Sequence, residues 1–209
     1  MTTVPGSLAQ RIFLLAHDPE KGRPRIGTNL GAMVRAAALA DLYVQGHLTD
    51  DRGRAVAVTG RSSADPVLAT LLGEIAAARP RKWQTWVDRR QHATVVAVRR
   101  QLGEDGWARL EPYRVLGIFP ATKVTLRDPR VRKELLGRVR AALKDPINRV
   151  DPADATLVAI VVAGQLSLVV DRRARQDAKR RIQELTDLSG PIGPALRKSI
   201  QASAAAAAA

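Results

Sequence analysis

Apolar residues recur at helical spacing along most of the chain. Leu8, Ile12, Phe13 and Leu15 predict a helix from Ser7 to Ala16. Asp18-Pro19 ends it, because a residue before proline avoids the helical region. A turn is expected at Glu20-Lys21-Gly22-Arg23. Thr28 or Asn29 can cap a second helix whose face runs Leu30, Met33, Val34, Ala37, Leu42 and Tyr43, with Gly46 as its stop. His47–Thr49, the Asp50-Asp51-Arg52-Gly53 turn and the alternating Ala55–Thr59 predict a small hairpin. Asp65-Pro66 opens a helix striped with Val67, Leu68, Leu71, Leu72 and Ile75. A shorter helix after Pro80 carries Trp83 and Trp86, and another covers Ala93 to Asp105, up to Gly106.

The stretch from Arg109 to Val124 breaks this pattern. Glu111-Pro112 and Pro120-Ala121 bracket the apolar run Val115-Leu116-Gly117-Ile118-Phe119, which reads as a strand or hairpin tip. Helical spacing returns from Asp128-Pro129 to Leu143. Asp151-Pro152 then caps the most apolar segment, Ala155–Val170. At 16 residues, with Gln165 and Ser167 inside it, this segment falls short of the ~20 needed to cross a bilayer and reads as a central buried helix. Asp171 begins a charged helix ending near Leu188, and Gly190–Gly193 precedes a last one. The expected fold is mainly α: a single helical domain over 7–200 around a central hydrophobic helix, with small β-hairpins and an Ala-rich tail at 201–209.

Composition changes the functional picture more than the structural one. Apolar residues at 45% and charged residues at 26% suit a folded domain, whereas 34 Lys plus Arg against 20 Asp plus Glu leave a net charge of +14. Such a field favours polyanions: nucleic acid, an anionic membrane face or a phosphorylated ligand. The split is 27 Arg to 7 Lys, and the guanidinium fork suits phosphate, although the same bias fits a GC-rich genome. The chain has no cysteine, which removes disulfides, thiolate metal sites and a cysteine nucleophile. His17, His47 and His92 have no metal-ligand spacing, and no metal or cofactor is expected. The first residues, Met1–Ser7, lack the pattern of a secretory signal.

Catalytic motifs are also missing. The sequence contains no phosphate-binding loop of the Gly-x-x-x-x-Gly-Lys type, no dinucleotide fingerprint and no His-Glu-x-x-His. Gly27-Thr28-Asn29-Leu30-Gly31 could hold an anion on free amides or simply cap a helix. Asp50-Asp51 could be an acid pair, yet adjacent acids in a Gly-containing turn are ordinarily solvated. None of Ser62, Ser63, Ser167 or Ser189 has a nucleophile elbow. An enzyme is not expected. Positive charge instead clusters in Arg79–Arg100, Arg127–Arg149 and Arg172–Arg181. Trp83 and Trp86, flanked by Arg81, Lys82, Arg89 and Arg90, fit either a membrane interface or a buried stripe.

The order of these pieces resembles a known family. Ile12-Phe13-Leu14-Leu15-Ala16-His17-Asp18-Pro19-Glu20-Lys21-Gly22-Arg23 is similar to the opening signature of the Golgi phosphoprotein 3 family. Val34 to Leu48, then Val98-Arg99-Arg100-Gln101-Leu102 with Gly106, resemble its next two segments. The hairpin Tyr113–Thr125 and the apolar helix after Asp151 fall in the same order. The resemblance covers roughly residues 7–190 and looks most like a divergent bacterial, actinobacterial branch.

The resemblance implies a mostly helical, peripheral membrane protein with a pocket for phosphatidylinositol 4-phosphate, acting as an adaptor for membrane enzymes. By position the pocket arginines fall on Arg35 and Arg99, with Arg25 and Arg100 as neighbouring substitutes. The pocket tryptophan falls on Ile26 and a further arginine on Val96, so half of the family's pocket is replaced. The oligomerising, membrane-contacting hairpin would present Leu116, Ile118 and Phe119, which implies a homo-oligomer. Expected partners are anionic or phosphoinositide headgroups and membrane-enzyme clients, met in the cytoplasm on the inner face of the membrane. A nucleic-acid-binding protein and a protein-interaction scaffold with an incidental basic surface remain the alternatives.

Overall fold

The computed structural model describes residues 3–18, 23–24, 29–115 and 118–208. Within them the chain is mainly helical. The helices are α1 (Leu8–Ala16), α2 (Leu30–Val44), α3 (Pro66–Ala76), α4 (Trp83–Asp88), α5 (Gln91–Glu104), α6 (Pro129–Lys144), α7 (Pro152–Ala163), α8 (Arg172–Asp177), α9 (Lys179–Leu188) and α10 (Ile192–Ala208). The strands are short: β1 (His17–Asp18) pairs antiparallel with β2 (Arg23–Pro24). β3 (Leu48–Asp51), β4 (Arg54–Ala57) and β5 (Arg81–Lys82) form a three-stranded antiparallel sheet. β6 (Ala108–Val115) and β7 (Phe119–Leu126) make a hairpin in which Val115 pairs with Phe119 and Ala108 with Leu126.

One hydrophobic cluster runs from Leu8 to Ile200. Two helices lie inside it. α7 buries most of its length, as its continuous apolar run requires, and α2 packs against α1, α3, α4, α5, α7 and α10. The interior of α2 is largely alanine, with Ala32, Ala36, Ala37, Ala38 and Ala40 all buried. Small side chains let several helices approach one axis closely, so dispersion contacts come from the neighbours' larger residues.

The ends of the helices follow local chemistry. Asp65, Asp128, Asp151 and Asp171 each accept backbone N–H bonds at the start of α3, α6, α7 and α8, satisfying donors that a helix leaves free. Helix α1 is capped from outside its own segment. The Asp41 carboxylate, on α2, accepts from the Leu8 amide at 2.8 Å and the Ser7 hydroxyl at 3.1 Å. Burial pushes the Asp41 pKa up to about 7, against the opposing effect of those donors.

Several expectations are revised. The apolar segment Ala155–Val170 is not one helix: α7 ends at Ala163, and Gly164-Gln165 turns the chain. The Gln165 amide bonds the Val162 carbonyl and the Leu166 amide bonds the Val161 carbonyl, a Schellman-type termination that overrides the apolar run. The Asp171–Leu188 helix is two helices joined at Ala178, whose ψ of 17° departs from helical geometry. Asn29 stands before α2 but makes no side-chain cap. Thr28 and the turn residues 20–22 lie outside the described residues. The hairpin over residues 47–59 gains β5 as a third strand, and α10 continues through most of the alanine run.

Both tryptophans belong to the core, so the membrane-interface reading of them is withdrawn. Trp83 and Trp86 are 2% and 1% exposed. Trp83 packs edge-on to Tyr43 and donates its indole N–H to Asp50, which also accepts from the Gly53 amide. Asp50 is thereby occupied as a structural acceptor.

Candidate functional site

Arg35 is placed on α2 at the junction of four helices, with 3% of its surface exposed. Its Nε donates to the Trp86 carbonyl at 3.1 Å, Nη1 donates to the Thr94 hydroxyl at 3.1 Å and Nη2 donates to Glu74 at 2.6 Å. These partners sit on α4, α5 and α3. Burial draws the Arg35 pKa below its ordinary value, and the Glu74 carboxylate opposes that shift. A buried guanidinium without such partners would cost several kcal/mol, so Glu74 is the anion that lets Arg35 stay inside.

The guanidinium forms the floor of a cleft of about 160 Å³ between α3 and α5. Arg90 and Arg100 line the same cleft with Thr70, Glu74, Thr94 and Gln101. Arg90 reaches the second oxygen of Glu74 at 3.3 Å, and Arg100 pairs with Glu104 at 3.5 Å. Glu74 therefore bridges a buried arginine and a mostly exposed one. Gln101 donates to Asp65 at 2.8 Å, while its amide oxygen is buried without a partner. Three guanidinium groups and two carboxylates thus share one small cleft. Its rim arginines are exposed and ion-paired, whereas its floor is buried.

The sequence-derived site residues separate in space. Arg35 and Arg100 line the cleft together. Arg99 does not line it: consecutive residues on a helix point ~100° apart, and the cleft side of α5 carries Ala93, Thr94, Ala97, Arg100, Gln101 and Glu104, with Arg90 just before the helix. Val96 is 37% exposed. Arg25, Ile26, Leu116 and Gly117 lie outside the described residues, as does the Gly27-Thr28 part of the suggested anion loop. Ile118 is 72% exposed at the hairpin turn, and Phe119 opens β7 opposite Val115.

The hairpin is anchored at one end and bare at the other. Ala108 and Val124 are buried in the core, while Tyr113, 46% exposed, and Arg114 lie toward the tip. Among the charged residues of the cleft, sequence reading missed Glu74, Arg90 and Glu104. Arg90 stood in a noted basic cluster, but Glu74 had no signal beyond being the acid on a helix otherwise apolar or small.

Among the described residues, no group of three or more His, Asp or Glu residues is placed to hold a metal, and no helix is long and apolar enough to cross a membrane. Fold and cleft together define a helical module with a basic recess and a projecting hairpin. The model of the family Golgi phosphoprotein 3 (GPP34) matches residues 8–203, and the chain belongs to that family. Compared with the curated proteins, the chain matches none.

Proposed function

We propose that this protein is a non-enzymatic peripheral membrane module that binds phosphatidylinositol 4-phosphate-like or other anionic lipid headgroups, as an adaptor for membrane enzymes on the inner, cytoplasmic face. The observation that carries this reading is the cleft in which Arg90 and Arg100 flank the buried Arg35. Family membership supports it as well. A headgroup phosphate entering the cleft takes over guanidinium contacts held by Glu74 in the free protein. Each charge-assisted contact so gained contributes ~1.5–3 kcal/mol. The hairpin tip, with exposed Tyr113, Arg114 and Ile118, supplies a second contact to the membrane or to another copy of the chain.

Vesicle flotation at physiological salt tests this reading, with neutral, phosphatidylglycerol-containing and phosphatidylinositol-4-phosphate-containing vesicles at matched surface charge. Flotation preferring the phosphoinositide is expected. Equal flotation on both anionic surfaces reduces the reading to electrostatic docking. Failure on both, with salt-sensitive nucleic-acid binding, refutes it in favour of a nucleic-acid partner.

A further inference from the structure

A second basic recess lies far along the chain from the α3–α5 cleft and shares none of its lining residues. Gln165, Ser167, Arg172, Arg175, Gln176 and Lys179 line an open groove of about 550 Å³ where the turn after α7 meets α8 and the start of α9. No carboxylate lines it. The basic stretch Arg172–Arg181 sorts by direction. Arg173 pairs with Asp177 at 3.9 Å, Arg180 with Glu184 at 3.3 Å, and Arg181 with Glu184 and the carbonyls of Ala142 and Asp145. Arg172 and Lys179, which face the groove, have no acidic partner among the described residues.

Arg175 sits between them. Its Nε donates to the Val170 carbonyl at 3.0 Å, but one terminal nitrogen is buried with no acceptor. Asp171 acts on Arg175 electrostatically, but its Oδ1 is already engaged by the Ala174 amide. Gln165 adds a backbone observation. It holds φ at +57° in the terminating turn of α7, a position that favours glycine. The side chain kept there lines the groove.

We propose that this groove is an anion site for a phosphate group, held by Arg172, Arg175 and Lys179 with Gln165 and Ser167 as neutral donors. Guanidinium forks and an ammonium point charge are the pair of chemistries that phosphate oxygens accept best. The phosphate comes from a lipid headgroup or from a free phosphorylated solute. The site stands independently of the headgroup reading of the α3–α5 cleft.

The test uses the full chain labelled with nitrogen-15 and titrated with inorganic phosphate at constant ionic strength, with chloride as the control. Saturable amide shifts clustered at 165–179 are expected. In Arg172→Gln/Lys179→Gln, both exposed positions, the apparent Kd rises at least 10-fold. Arg175→Lys gives a smaller loss. Linear, unsaturated shifts, or saturable shifts confined to the α3–α5 cleft, would overturn the proposal. Vesicles carrying phosphatidic acid then separate the sources. Flotation lost in the double variant but kept by a same-charge Arg61→Gln/Arg127→Gln control assigns a headgroup. Flotation unchanged, with the phosphate shifts still lost, assigns a free solute.

Discussion

Replacing Glu74 with Gln probes the cleft from within. The side chain keeps its length and an acceptor oxygen but loses the charge that faces Arg35 at 2.6 Å and Arg90 at 3.3 Å. Arg35 is 3% exposed, so water does not replace the lost charge. A hydrogen bond to a charged group contributes ~1.5–3 kcal/mol, and reducing it to a neutral acceptor should cost about 2 kcal/mol. For a chain of this size that lowers Tm by roughly 4–8 °C. Headgroup binding should move the other way. A phosphate no longer has to displace a carboxylate, which is worth about 10-fold in affinity or ~1.4 kcal/mol. Thermal unfolding with and without soluble glycerophosphoinositol 4-phosphate reads both effects. The variant should melt lower alone yet gain more stabilisation from the headgroup. A lower Tm with no added response would leave Glu74 a structural counter-ion only. An unchanged Tm would refute the coupling of Arg35 to Glu74 itself.

Three further outcomes follow from the packing. Asp41 keeps its proton to about pH 7 in the folded protein, against 3.8 for an ordinary aspartate. Its contribution therefore declines as pH rises from about 4 to 7, by about 4 kcal/mol in total. Asp41→Asn should lose that slope in urea unfolding followed against pH, and parallel curves for the two proteins would contradict it. A methyl group at Gly164 would fall 2.3 Å from the Met33 sulfur, so Gly164→Ala should destabilise by ~1–3 kcal/mol in the same assay through overpacking. Replacing Tyr113 and Ile118 with Ser should leave Tm within about 2 °C, since both are exposed. The same change should weaken vesicle flotation, and full retention would exclude the tip as a contact.

Much of the fold was readable because caps and stripes are local. Asp65-Pro66, Asp128-Pro129 and Asp151-Pro152 mark helix starts within one residue of where they occur. Hairpin β6–β7 was likewise visible from its bracketing prolines. The end of α7 was hidden, since Gln165 stands where glycine would have announced the stop. The central position of α2 was also muted, because alanine carries little hydrophobic signal although it permits close packing. The cleft was half legible. The resemblance pointed to Arg35 and Arg99, of which only Arg35 lines the cleft, and Arg100 entered as the neighbour of Arg99; Glu74 and Arg90 are brought to them by contacts among α2, α3 and α5 that no local pattern encodes. Tertiary capping of α1 by Asp41 across 33 residues is of the same kind.

If the α3–α5 cleft rather than bulk charge reads the headgroup, the arginines at its rim should matter more than arginines elsewhere on the surface. The most direct measurement compares flotation of Arg90→Ala/Arg100→Ala with that of Arg61→Ala/Arg127→Ala on phosphatidylinositol-4-phosphate vesicles. Both variants lose the same charge, and Arg61 and Arg127 are exposed residues outside the cleft. Loss of binding by at least 10-fold in the cleft variant alone is expected. Equal losses in the two variants would refute a role for the cleft and assign membrane attraction to net charge.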